Sequence, residues 1–359
     1  MTLSIVLTHV FAWPEVMRGA ERYVHELSAA LSARGHRVRV LTTSEHPRLD
    51  EVLGVPVRGF ARGPVGPGER LPPRVLVRFG ARCLADVLPR RVDVWHAGSL
   101  FDGAAAAVAG SIRPGLRSVL TLHGPVETSV LTRSPQRQAF SLARRVDRVV
   151  CVSPPAAAQA DAAAGVRAAV VPPGVDASVF CPGGRRSDVP AVLYVGSLTE
   201  RRKNLPLLLA ALALVPDVEL HLVGQGDPSV LVAGAPEEVR ARVRHLGPLS
   251  GAALVDAYRS AWVTALVSER EVFGMVVVES LACGTPAVVL DDGWGASGIV
   301  TDGTGERAAA TPASVAEAVG RALSLARDPD TVGRCRAVGE SYDWQRAVVP
   351  RLEEVYAGG

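Results

Sequence analysis

Lysine and asparagine are almost absent from this chain: each occurs once in 359 residues, as the neighbours Lys203 and Asn204, and arginine does the generic cationic work. Cysteine is sparse and scattered. Cys83, Cys151, Cys181, Cys283 and Cys335 form no C-x-x-C pair and no zinc spacing, and their odd number suits reduced thiols in a cytosol. No long apolar run is present; Leu205 to Val215, the longest, falls short of the ~20 residues that a membrane helix needs. The opening MTLSIVLTHV lacks a basic leader and a small-residue cleavage site, so it reads as a strand, and a cytoplasmic location is expected. A net charge of +3 lacks the concentrated basic face that nucleic acid demands. What remains is 48% hydrophobic with only 5% aromatics and dispersed charges of both signs, a soluble globular composition; the length predicts about two domains at roughly 150 residues each.

Short β-rich runs alternate with helical patterns throughout, as in parallel sheets covered by helices. Leu3 to Leu7 predicts a strand, Arg18 to Arg34 a helix with Tyr23, Leu27, Ala30 and Leu31 on one face, Gly35 its stop, and Val38 to Leu41 the next strand. Further strands are expected at Val92 to His96, Ser118 to Leu122 and Arg148 to Val152. PPGVDASVFCPGGRRSDVP, residues 172–190, has no periodicity and reads as a linker. A second series follows, with strands at Ala191 to Val195, Glu219 to Val223, Trp262 to Leu266 and Ala287 to Leu290, and helices at Leu205 to Leu214 and Leu254 to Arg259. The fold class is therefore α/β, with two doubly wound halves: 1–171 and 191–340, then a closing helix in 341–359. Ligands of such sheets sit beyond the carboxyl ends of the strands, so a cleft between the halves is the expected site.

Four stretches carry chemistry. In VSEREVFGMVVVESLACGTPAVVLDDG a loop holds Glu271, Phe273 and Gly274, and Met275 begins a segment that propensity leaves open between helix and strand; the ending ESLACGTP favours helix. Glu279 then sits among valines, where a carboxylate needs a partner: a ribose diol, or an arginine from a neighbouring helix. The helix end near Gly274 offers free N–H groups to phosphate or sugar oxygens. In YVGSLTERRKNLPLLLAAL the cluster Arg201, Arg202 and Lys203 lies between strand and helix, placed either to neutralise a diphosphate or as a solvated charge run. Gly19, opening the first helix, lets backbone N–H groups approach an anion or merely caps the helix. His123, in TLHGP, ends a strand where it either reaches a ligand or is structural. VGQGD lacks the third glycine of a dinucleotide fingerprint, and Asp328-Pro-Asp330 reads as a helix-terminating turn rather than a metal pair.

Together the stretches GAERYVHELSAALSARGHRVRVLT, DVWHAG, TLHGP, VVPPGVDASVF, VGSLTERRKN, HLVGQGD, EVFGMVVVESLACGTPAVV and YDWQRAVVPRLEEVY resemble the retaining glycosyltransferases of family four. The resemblance covers nearly the whole chain and implies the GT-B architecture, two Rossmann-like domains facing a cleft, with the last helix, around Trp344, crossing back to the first domain. It implies that Glu279 holds a nucleotide ribose, that Glu271 and the backbone of Phe273, Gly274 and Met275 contact the transferred sugar, and that Lys203, Arg202 and Gly19 bind the diphosphate. His123 would support charge developing at the anomeric carbon. The implied reaction moves a hexose-type unit from a nucleoside diphosphate sugar to a small-molecule or glycan acceptor, with neither metal nor other cofactor. The chain departs from the family pattern at Arg18, Pro173, Ser197 and Gly298. An epimerase or a non-catalytic sugar-nucleotide-binding protein shares the architecture. The arginine-bearing helix Arg74 to Arg91 reads as a solvated face in preference to a membrane-docking one.

Overall fold

The structure, a computed structural model, describes residues 2–11, 15, 19–64, 71–126 and 134–358. The chain divides into two compact units, Met1–Gly174 together with Trp344–Gly359, and Val175–Asp343.

The first unit is built on eight strands, β1 (Ser4–Thr8), β2 (Arg37–Ser44), β3 (Arg48–Val52), β4 (Val55–Ala61), β5 (Val94–Ala97), β6 (Arg117–Leu122), β7 (Arg148–Cys151) and β8 (Ala169–Val170). Their order is β3-β4-β2-β1-β5-β6-β7-β8. Every pairing is parallel except β3 with β4. The exception is a hairpin whose turn places Leu53 at φ 51° and Gly54 at φ 74°, the left-handed pair that matches strand twist in tight hairpins. No strand is expected from the sequence over Arg48–Ala61, where β3 and β4 lie. Leucine in the turn hides the hairpin, because no Asn-Gly or Asp-Gly marks it.

In the first unit the helix Gly19–Ala33 turns Tyr23, Leu27 and Leu31 onto Ile5, Leu7 and Val40. Trp344, Val348, Val349 and Leu352 join the same core from the far end of the chain. Polar contacts hold that return: the Arg34 and His36 side chains reach the Glu353 carboxylate at 2.8 and 2.9 Å, and Arg117 donates to the Tyr356 carbonyl at 2.6 Å.

The second unit has six parallel strands, β9 (Ala191–Val195), β10 (Glu219–Val223), β11 (Val243–Gly247), β12 (Val263–Leu266), β13 (Ala287–Leu290) and β14 (Gly305–Ala308). Their order is β11-β10-β9-β12-β13-β14. Both faces are covered, so β12 and β13 are buried along their whole length, as their unbroken apolar sequences require. Residues 175–190 pack on this unit: Arg259 donates to the Cys181 carbonyl at 2.8 Å, and Ser187 N to the Ser260 carbonyl at 2.9 Å.

Met275–Ala282 is helical, so the ending ESLACGTP outweighed the strand propensity of MVVV. Gly339, in the helix Asp330–Glu340, lies against the backbone of Ala282; a Cβ there would collide with the Cα and N of Ala282. Backbone atoms cannot swing aside. Gly339→Val should therefore lower stability by about 3 kcal/mol or more, read as a lower denaturant midpoint; an unchanged midpoint would contradict this packing.

Candidate active site

At the carboxyl end of β9 the chain enters a loop tied to its neighbours by backbone bonds. Gly196 N donates to the Val223 carbonyl and Leu198 N to the Gln225 carbonyl, both at 2.9 Å. The single turn Arg201–Lys203 ends at Asn204, whose φ of 54° lies in the left-handed region that asparagine tolerates better than most residues. Asn204 stands at the N-cap position of the helix Leu205–Leu212 without a side-chain capping bond and donates instead from Nδ2 to Glu269 Oε1 at 3.2 Å, while Glu269 N donates to the Arg202 carbonyl at 3.0 Å. The chain's lone asparagine thus fastens the basic turn to the loop after β12.

That fastening brings the Lys203 ammonium to 2.7 Å from Glu271 Oε2, with the Arg202 guanidinium at 3.7 Å. Both the Lys203 and Glu271 side chains are mostly buried. Burial would raise the Glu271 carboxyl, yet Lys203 first and Arg202 after it hold it below its ordinary range. It is a carboxylate facing two cations.

Past Glu271 the loop carries Phe273, whose ring meets Tyr342 at 5.6 Å, and Gly274 at φ 98°. A Cβ on Gly274 would stand 3.1 Å from the Ala296 Cβ and 3.2 Å from the Leu266 Cδ2, so only glycine suits both the angle and the space. From there Met275 begins the helix, with first-turn N–H groups outside the helical ladder. Glu279 lies within the same helix, 2% exposed, and accepts from the Tyr258 hydroxyl at 2.6 Å. One partner of this buried carboxylate is thus a tyrosine on the helix Gly251–Ser260, a residue that the sequence did not single out.

Gly19 and His123 belong to the first unit. Gly19 is the exposed first residue of its helix. His123 follows β6, its ring edge-on to Tyr23 at 4.8 Å and to His9 at 6.0 Å. Burial first, then the neighbouring His9 and His96, keeps the His123 imidazole neutral, well below its ordinary titration range. Burial likewise lowers His96 to about 3, and burial with help from Arg48 and His9 lowers His25 to about 4.

Below about pH 6.5 the unfolded chain takes up protons at these imidazoles that the folded chain refuses, so their contribution is whole above that pH and is lost as pH falls. Each costs about 1.4 kcal/mol per pH unit through the window from 6.5 down to its lowered value. Urea midpoints should change little between about pH 7.5 and 6.5 and fall clearly between 6.5 and 5.5; no fall below pH 6.5 would mean that these rings protonate in place.

Of the residues singled out in the sequence, Arg202 and Lys203, on the turn after β9, contact Glu271, on the loop that continues through Phe273, Gly274 and Met275 to the Glu279 helix. Tyr258, with no motif around it, was missed as a support, and Asn204, conspicuous beside Lys203 in VGSLTERRKN, carries no sign in the sequence of its bond to Glu269. In the VGQGD loop Asp227 accepts from Ser229 N and Oγ, both at 2.8 Å. Asp328 accepts from Asp330 N at 3.0 Å and pairs with Arg334, which makes Asp328-Pro-Asp330 a helix-start turn. Among the described residues no group of three or more metal-ligating side chains occurs.

Two parallel-dominated α/β units, the first completed by the C-terminal segment, are the GT-B architecture. Sucrose-phosphate synthase of Thermosynechococcus elongatus superposes with a TM-score of 0.84 at 22% identity, over 99% of this chain and 98% of that one. HepE of Anabaena, solved with UDP and glucose, gives 0.75 at 20% identity over 99% and 98%. The family profile described as Glycosyltransferase Family 4 matches residues 17–179, and that described as Glycosyl transferases group 1 matches 189–325. The D-inositol 3-phosphate glycosyltransferase of Acidothermus cellulolyticus is 31% identical, spanning 92% of this chain and 83% of its own. The chain belongs to family four of the glycosyltransferases.

No described helix is long and apolar enough to cross a membrane.

Proposed function

We propose that the protein transfers a hexose-type unit from a nucleoside diphosphate sugar to an acceptor hydroxyl, with retention at the anomeric carbon and without a metal ion. The observation that carries this reading is the contact of Lys203 and Arg202 with Glu271 on the loop that leads to the Gly274 helix start. Cations and helix-end N–H groups stabilise a departing diphosphate well in a dry, preorganised site. On this reading Lys203 and Arg202 take the diphosphate charge in the second unit and Gly19 contributes backbone N–H groups from the first. Glu271 and the backbone of Phe273, Gly274 and Met275 hold the sugar, and Glu279, oriented by Tyr258, holds the ribose. His123, kept neutral, supports charge at the anomeric carbon. The glycosidic C–O bond to the diphosphate breaks as the acceptor oxygen bonds to the same face, and the leaving phosphate takes the acceptor proton.

The printed names of the Acidothermus relative and the Thermosynechococcus neighbour refer to phosphorylated compounds, which supports a phosphorylated polyol or sugar as acceptor. Incubation with candidate sugar nucleotides in excess chelator should release nucleoside diphosphate when an acceptor is added. Strict dependence on added divalent metal would overturn the metal-free reading. Conversion of the donor to an isomeric sugar nucleotide without acceptor would make the protein an epimerase.

A further inference from the structure

The first unit contains a second basic constellation that the proposed donor site does not use. A small hollow of about 30 Å³ opens at the carboxyl ends of β2 and β4, walled by Thr43, Phe60, Arg62, Arg78, Phe79 and Arg82. In open α/β sheets that edge is where ligands are held. Three guanidiniums share the hollow. Arg82 is fixed by donating to the Ala61 carbonyl at 2.9 Å and by lying 5.8 Å over the Phe60 ring. Arg62 is only 6% exposed at its side chain; one nitrogen pairs with Glu15 at 3.0 Å, while its buried Nε has no hydrogen-bond partner. Arg78 is exposed and makes no ion pair among the described residues. Glu15 is shared with Arg48, at 3.5 Å, and Arg48 also lies 3.9 Å from Asp50, so among the described residues the guanidiniums of Arg62, Arg78 and Arg82 are met by the Glu15 carboxylate alone.

Gathering guanidiniums costs repulsion, and burying an N–H of one without an acceptor costs more. A bound anion removes both penalties. We infer that this hollow is a phosphate-monoester site that takes the charged group of a small acceptor. Forked guanidinium donors suit a tetrahedral dianion better than a carboxylate, because they can engage several of its oxygens at once. With Arg62 inside the unit, the site fits a soluble phosphate ester better than the surface of a bilayer. The inference rests on the proposal that the chain glycosylates an acceptor, and specifies the acceptor's class.

The test uses the full chain without any sugar nucleotide. Calorimetric titration with inorganic phosphate and with glucose 6-phosphate should show binding that weakens with added salt, and none with glucose. R78Q, at an exposed position, should fold normally and weaken both phosphates roughly tenfold, with R78K recovering part of the loss. R62M is the stronger variant, read only if its unfolding curve matches the parent's. Unchanged affinity in both R78Q and R82Q, equal binding of glucose, or binding only to anionic phospholipid vesicles would overturn the inference. A parallel titration with nucleoside diphosphates separates the two ideas. Loss of that binding alone would sink the donor reading and leave the phosphate hollow intact.

Discussion

Lys203→Ala is expected to reduce turnover about a hundred- to a thousandfold while leaving the fold in place, the loss typical when one preorganised donor is removed from a developing negative charge. The side chain makes one contact that matters to stability, the 2.7 Å bond to Glu271. Removing it leaves a mostly buried carboxylate with Arg202 as its nearer cation, at 3.7 Å. Some destabilisation is therefore expected from the single substitution, and the double variant Lys203→Ala, Glu271→Gln separates it from chemistry, since it removes both charges of the pair. If the double variant regains stability while Lys203→Ala turns over far more slowly than Glu271→Gln alone, Lys203 acts on the departing diphosphate. Near-parental turnover of the single variant with a matched donor would rule that role out. Lys203→Arg should recover only part of the rate, because a forked guanidinium cannot stand where a compact ammonium stood.

Glu279→Gln should weaken binding of the sugar nucleotide ten- to a hundredfold with little change in unfolding temperature. The amide keeps the volume of a side chain that is 2% exposed, and its oxygen can still accept from the Tyr258 hydroxyl. What it loses is the charge that lets one carboxylate accept two ribose hydroxyls strongly. Tyr258→Phe, which removes the orienting bond alone, should weaken the same binding by a smaller factor, on the order of fivefold for a net hydrogen bond. Titration with nucleoside diphosphates distinguishes the two; equal affinity across parent and both variants would mean that Glu279 serves the packing of its helix and not the nucleotide.

Much of the architecture was legible because parallel strands buried on both faces must be apolar along their length. Runs such as VTAL and AVVL, punctuated by Gly284 and Pro286, identify themselves by composition. The helix Met275–Ala282 was readable only from its ending, since its valines suit a strand equally well. The Arg48–Val52 and Val55–Ala61 hairpin was missed, because its turn is made by Leu53 and Gly54 and its outer strand is largely exposed. Lys203, Arg202 and Glu271 stood out one by one as charges beside glycine in strand-end loops. Nothing in the sequence stated that they touch.

The order of apolar runs and breakers by itself determined two α/β units with charged loops after their strands, for these depend on short-range periodicity and backbone sterics. Only the tertiary structure decided that Tyr258 bonds the buried Glu279, that Asn204 pins the basic turn to Glu269, and that Arg62, Arg78 and Arg82 share one hollow. Each of these joins residues separated along the chain, and which side chains meet is set by how strands are ordered and helices laid over them, where many pairings satisfy the same local pattern and packing selects one.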